Sequence, residues 1–142
     1  MNMKKWILLF VILLTIPFLW FLIWFALTSG EHHYERSDIF SYWLYTPDVL
    51  KNVPLISEDV EYNYEYNLDN QQTRVIVKWN NINDIAAKKT YLIGFLQKLN
   101  PSIKYNCIWF YHDPHNYADN YQRYCISQKW DSLELEYFDT VK

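Results

Sequence analysis

Residues 6–27 read WILLFVILLTIPFLWFLIWFAL, a run of 22 residues that contains no charge. An α-helix rises about 1.5 Å per residue, so a helix of this length spans about 33 Å. The hydrocarbon core of a bilayer is about 30 Å thick. The run therefore predicts a transmembrane helix over residues 6–28, and the bilayer is the first partner that the sequence indicates.

The charges that flank this run predict its orientation. Lys4 and Lys5 precede it directly, whereas no lysine or arginine follows it before Arg36. Positive charge stays on the cytoplasmic side of a membrane. We therefore expect residues 1–5 in the cytoplasm and residues 29–142 outside. The chain has no allowed Asn-x-Ser/Thr glycosylation site, which favours a bacterium, with the anchor in the inner membrane and the domain in the periplasm.

A cleaved signal peptide is the alternative interpretation of this segment. Signal peptides have apolar regions of about 7–15 residues, shorter than the run found here. Residues 26–28 come nearest to a cleavage site, but bulky Phe25 and Leu27 crowd it. The sequence favours an anchor that stays attached.

The rest of the chain is acidic and long enough for one domain. From Thr28 onward it has 11 basic and 16 acidic residues, a net charge of −5. Nucleic-acid-binding domains are usually basic, so this balance argues against a nucleic acid as partner. It weakly favours a basic protein, which an acidic surface attracts by electrostatic steering.

An antiparallel hairpin is predicted over residues 60–79. Residues 60–67 alternate strictly between apolar or aromatic and polar side chains, residues 68–72 have turn composition, and residues 74–79 alternate again. This period of two places Tyr62, Tyr64 and Tyr66 on one face of the first strand and Glu61 and Glu65 on the other. The tyrosines fit either the sheet face beneath a helix or an exposed binding platform, and the sequence favours the former.

Seven further segments complete the predicted fold. A long helix is expected over residues 84–99, with Asn83 as its N-cap. A short helix is expected to begin at Pro47, with Thr46 as its N-cap. Residues 28–36 have the composition of a polar stem, and residues 39–45 that of a first strand or a packing arm. Further strands are expected at residues 103–112, 121–130 and 133–137. The predicted class is α+β: a mainly antiparallel sheet of about five strands with one main helix packed on it.

The chain has two cysteines, Cys107 and Cys125, both in the part predicted to lie outside. If residues 103–112 pair with residues 120–129 around Asn116, the two cysteines are directly opposite, at a spacing suited to a disulfide. We expect a structural disulfide between them. Reactive thiols are the weaker alternative because no Cys-x-x-Cys occurs.

No group of residues predicts catalysis or a cofactor. The imidazoles in residues 112–115 and 32–33 could hold zinc, but Asp-Pro in a loop is ordinary turn chemistry. Glu61 and Glu65 could form a catalytic carboxylate pair, although a solvated strand face explains them as well. Ser127 with His112 and Asp113 lacks the turn that exposes a nucleophilic serine. We predict a non-enzyme without metal or cofactor.

Binding is therefore the predicted activity. The candidate contact residues are the tyrosine stripe and the carboxylates of two strands: Tyr62, Tyr64, Tyr66, Glu61, Glu65, Glu134 and Glu136, the last two beside Phe138. One anchor, one small acidic domain and one disulfide form a layout that resembles envelope-anchored bacteriocin or toxin immunity proteins. That resemblance implies that the domain occludes a basic toxin or an envelope enzyme. The alternative is a single-pass accessory subunit of an envelope complex for secretion, conjugation, division or control of phage lysis.

Overall fold

The computed structural model describes residues 2–69, 71–99 and 122–140. The chain divides into two compact units, Met1–Gly30 and Glu31–Lys142. The first contains one long helix, and the second contains a small domain.

The first unit is the helix α1, Met3–Thr28, which includes Lys4 and Lys5 in addition to the apolar run. None of its side chains is buried. Its hydroxyl groups bond to the helix backbone, as in the 2.9 Å bond that Thr28 donates to the carbonyl of Trp24. Among the described residues, α1 alone is long and apolar enough to cross a membrane. The predicted long apolar helix is thus confirmed.

The second unit is an α+β domain built on a five-stranded sheet, as predicted. The strands are β1 (Gly30–Glu35), β2 (Val60–Asn67), β3 (Gln72–Trp79), β4 (Gln122–Gln128) and β5 (Leu133–Thr140), in the spatial order β1-β2-β3-β5-β4. The helices are α2 (Ile39–Tyr45), α3 (Asp48–Lys51) and α4 (Ile85–Leu99).

The predicted antiparallel hairpin is confirmed. β2 and β3 pair antiparallel from Val60 opposite Trp79 to Asn67 opposite Gln72. β3 also pairs antiparallel with β5, and β5 with β4, so β3 and β5 are inner strands. Alternate residues of β3, the triplet Val75, Val77 and Trp79, therefore point to one face and form the centre of the core.

The core lies between that sheet face and the helices. Leu133 and Leu135 of β5 and Leu92 and Leu96 of α4 are fully buried in one cluster with the β3 residues. Ile85, Ile93 and Phe95 of α4 are partly buried against the same cluster. The predicted packing of one main helix on an antiparallel sheet is therefore what forms the core.

Two segments differ from the sequence prediction. Residues 28–36 are not a polar stem: they contain strand β1, in which Tyr34 is buried and stacks on Tyr62 with ring centroids 5.4 Å apart. Residues 39–45 form helix α2 rather than a strand or arm. Asp38 starts this helix, because its side chain accepts a 3.2 Å hydrogen bond from the backbone N–H of Ser41. This cap outweighs the strand preference of the aromatic residues.

The N-caps of α3 and α4 each lie one residue later than the sequence predicts. Thr46 is the C-cap of α2, and its N–H bonds to the carbonyl of Tyr42 at 3.2 Å, so Pro47 is the N-cap of α3. In α4 the cap is Asp84 rather than Asn83, because the Asp84 carboxylate accepts the N–H of Ala87 at 3.1 Å. The predicted strand at 103–112 lies outside the described residues.

Candidate functional site

The sheet register divides the predicted contact residues between two opposite faces. In the β2–β3 pair, Tyr62 lies opposite Val77 and Tyr64 opposite Val75, on the face that forms the core. Glu61 lies opposite Lys78, which lies opposite Glu134 of β5, on the other face. The tyrosines and the carboxylates therefore cannot form one binding surface.

Two residues of the tyrosine stripe, Tyr62 and Tyr64, belong to a larger group of rings, here called the tyrosine cluster. Tyr62 is buried, whereas Tyr64 and Tyr66 are half-buried. The rings of Tyr42 and Tyr62 pack edge to face with their centroids 5.3 Å apart, and the ring centroids of Tyr45 and Tyr64 are 4.9 Å apart. The cluster contains the following rings from β1, α2 and β2: His32, Tyr34, Tyr42, Tyr45, Tyr62 and Tyr64. These contacts hold α2 against the edge of the sheet.

Burial also keeps three tyrosines of the cluster protonated. It raises the pKa of Tyr62 to about 12 and raises the pKa of Tyr64 and Tyr34 above the ordinary value. The Tyr34 hydroxyl also shares a buried 2.9 Å hydrogen bond with the Thr46 hydroxyl. The phenols of Tyr34, Tyr62 and Tyr64 are therefore neutral at physiological pH and pack in the cluster as uncharged rings.

We expect the domain to lose stability in alkali, from about pH 10 to about pH 12. Tyrosines ionise near pH 10 in the unfolded chain, but the buried phenol of Tyr62 ionises near 12. A raised folded-state pKa contributes its full stability below pH 10 and loses it as the pH rises through the folded value. Urea unfolding of the full chain in detergent at several pH values measures this, and Tyr62→Phe should reduce the slope. A slope unchanged by Tyr62→Phe contradicts the assignment.

The carboxylates on the opposite face lie in rows beside basic residues of β3. Arg74 bonds Glu65 at 3.3 Å, from Nη1 to Oε2, and also bonds Glu136 through Nε. Lys78 Nζ lies 3.9 Å from Glu61 Oε2. Lys129, in the turn after β4, bonds Glu134 Oε1 at 2.7 Å. The four predicted glutamates thus share one face, with the cations between them.

Accessibility separates these glutamates into two pairs. The side chains of Glu61 and Glu65 are 60% and 45% exposed, whereas those of Glu134 and Glu136 are 22% and 17% exposed. Glu31 of β1, which the sequence did not single out, is 56% exposed and accepts a 2.8 Å hydrogen bond from Asn63 on the same face. We call Glu31, Glu61 and Glu65 the acidic strip, because these are the carboxylates that a partner can reach.

Cys125 lies on the same sheet face as Glu136, which is opposite it in the β4–β5 pair. It is buried, as is Phe138, over whose ring the Arg74 guanidinium lies at 5.7 Å. Cys107 lies outside the described residues, so the Cys107–Cys125 disulfide stays a prediction.

The structure shows one surface that the sequence analysis missed. On α2, Tyr42 and Tyr45 point into the tyrosine cluster, whereas Ile39, Phe40 and Trp43 are 79%, 62% and 67% exposed. We call these three residues the apolar α2 face. Their spacing of i, i+1 and i+4 would have indicated a helix face, had the segment been assigned to a helix.

The candidate metal ligands are not brought together where the structure describes them. Within residues 2–69, 71–99 and 122–140, no three His, Cys, Asp or Glu side chains form a group that could hold a metal. His32 stacks on Tyr45 with ring centroids 4.4 Å apart, and His33 lies 3.3 Å from Glu31. His112, Asp113 and His115 lie outside the described residues.

Comparisons with protein-family models, with curated proteins and with solved structures find no match for this chain.

Proposed function

We propose that the chain is a membrane-anchored binding module whose domain captures a basic protein outside the cytoplasmic membrane. The observation that carries the proposal is the acidic strip. It presents three reachable carboxylates on one face of a sheet whose other face is packed into the core. The domain's net charge of −5 from Thr28 onward supports the same class of partner.

The surroundings of the acidic strip suit it to binding. Arg74 and Lys78 on the neighbouring strand hold Glu65 and Glu61 in place, so that fewer side-chain rotamers are lost when a partner binds. Half of each carboxylate still faces solvent and can accept hydrogen bonds from arginine or lysine. The sheet backbone fixes the spacing between them.

The finer proposal is an inhibitor of the immunity type, in a bacterial inner membrane. Lys4 and Lys5 at the start of α1 support a cytoplasmic N-terminus, and hence a periplasmic domain. An oxidising periplasm would favour the predicted Cys107–Cys125 disulfide. The partner is then a basic toxin or envelope enzyme whose active surface the domain covers.

Site-specific photocrosslinking in intact cells tests the proposal. The full chain carries benzoylphenylalanine at Asn67, an exposed position at the end of β2 on the face of the acidic strip. We expect a protein adduct whose yield falls about tenfold in the double variant Glu61→Gln and Glu65→Gln. A charge-assisted hydrogen bond contributes about 1.5–3 kcal/mol, enough for such a loss.

The matched control removes two negative charges elsewhere. Asp48→Asn with Glu58→Gln changes exposed residues of α3 and of the loop before β2, and should leave the yield unchanged. The absence of a protein adduct at residue 67, or an equal loss in both double variants, contradicts the proposal. An adduct to an integral membrane protein instead of a soluble one identifies the accessory-subunit alternative.

A further inference from the structure

The apolar α2 face places three exposed apolar side chains on one short helix, and the acidic strip gives it no role. Asp38 caps α2 through the Ser41 N–H and also accepts a 2.7 Å hydrogen bond from the Ser41 hydroxyl. These bonds and the tyrosine cluster fix the rotation of the helix about its axis. The outward position of Ile39, Phe40 and Trp43 is therefore built into the fold.

Exposure of three large apolar side chains on seven residues is unfavourable in water. Contiguous apolar patches on small proteins usually mark a contact with another molecule or with a membrane. The composition of this one, a tryptophan and a phenylalanine beside an isoleucine, is that of side chains that sit at the boundary between lipid and water.

The length of chain before α2 supports lipid as the occupant. α1 ends at Thr28 and α2 begins at Ile39, so the ten residues 29–38 connect them. Even a fully extended chain spans at most about 3.6 Å per residue, so Ile39 lies within about 40 Å of the end of α1. Such a tether keeps the local concentration of bilayer surface high, and weak lipid binding is then sufficient.

The charges that flank α2 in the sequence bear on which lipid it can bind. They are Glu35, Asp38 and Asp48 against Arg36 and Lys51, a net negative charge. The hydrogen bonds from Ser41 hold the pKa of Asp38 below its usual value, so that it stays ionised. This surrounding does not attract anionic headgroups, so binding relies on the apolar side chains.

We infer that the apolar α2 face binds the interfacial region of the bilayer, between headgroups and acyl chains. This inference rests on the proposed anchoring of α1. Ile39, Phe40 and Trp43 enter the interface, while Tyr42 and Tyr45 remain in the tyrosine cluster. The lipid contact limits the orientations in which the domain presents its acidic strip.

Photocrosslinking to lipid tests this inference. The full chain is reconstituted into phosphatidylcholine vesicles, with benzoylphenylalanine in turn at Phe40, Trp43, Tyr91 and Trp130. Tyr91 on α4 and Trp130 in the β4–β5 turn are matched controls, since both are exposed aromatic residues outside α2. We expect lipid adducts at 40 and 43 at least fivefold above those at 91 and 130. Added phosphatidylglycerol should not increase them.

The outcomes separate this inference from the proposed anchoring. A chain that resists alkaline carbonate extraction but gives equal adducts at 43 and 130 overturns the lipid contact alone. A chain that carbonate releases from the vesicles overturns the anchoring, and the lipid contact with it. A protein adduct at 43 in intact cells, without a lipid adduct there, assigns the face to a protein and also overturns the inference.

Discussion

Trp79→Ala should reduce the free energy of unfolding of the domain by about 3–5 kcal/mol, the loss that follows removal of a buried tryptophan. Trp79 ends the inner strand β3 and lies between Val60 of β2 and Leu133 of β5, with almost no solvent exposure. Small domains have only about 5–15 kcal/mol of stability, so this single change removes a large share. Urea unfolding of the full chain in mild detergent, followed by near-ultraviolet circular dichroism, measures it.

Trp130→Ala provides the matched control. It deletes the same side chain at a fully exposed position in the β4–β5 turn, whose backbone is held by a 2.9 Å bond from Lys129 N–H to the Ser132 carbonyl. Exposed substitutions usually change stability by about 0.5 kcal/mol or less. If both variants unfold at the same urea concentration, Trp79 does not lie in the core as described.

The second large effect concerns α1. The double variant Leu13→Arg with Ile16→Arg should release most of the chain from the membrane fraction. Near the centre of a transmembrane helix each arginine costs about 2.5–3.5 kcal/mol, and each lost leucine or isoleucine removes about 0.3–0.6 kcal/mol of favourable transfer. The total, about 6–8 kcal/mol, is comparable to the insertion energy of the whole run. The fraction that resists carbonate extraction measures it.

Leu13→Ala with Ile16→Ala is the control, because it removes the same side chains without adding charge. This variant should stay in the membrane fraction. If the arginine variant also stays there, lipid is not what holds α1, and a protein complex must surround the helix instead.

Elements with long regular patterns can be predicted from this sequence, and short elements cannot. The β2–β3 hairpin is predictable because alternation runs through eight residues before the polar turn and six residues after it. The seven residues of α2 are too few to show a helical period, and their aromatic content favours a strand. Only the cap by Asp38 and the packing of Tyr42 and Tyr45 decide this element, and the packing involves residues distant in sequence.

The candidate site shows the same division. A period of two correctly places Glu61 and Glu65 on one face of β2. It does not tell how exposed a carboxylate is, because that depends on the neighbouring strands. Glu136 is mostly covered where Arg74 reaches it from β3, and Glu134 is covered beside Lys129. Glu31 cannot be recognised from the sequence, because residues 28–36 have the composition of a polar stem and show no alternation.

The position of β5 has a consequence for how the chain matures. This strand, Leu133–Thr140, is the last described element in the sequence, yet it lies between β3 and β4. Until β5 has been synthesised, the edge of β3 that pairs with β5 has no partner strand. β4 also has no strand to pair with, because its neighbour in the sheet is β5. Chains cut short before residue 133 should therefore be degraded by proteases much faster than the full chain.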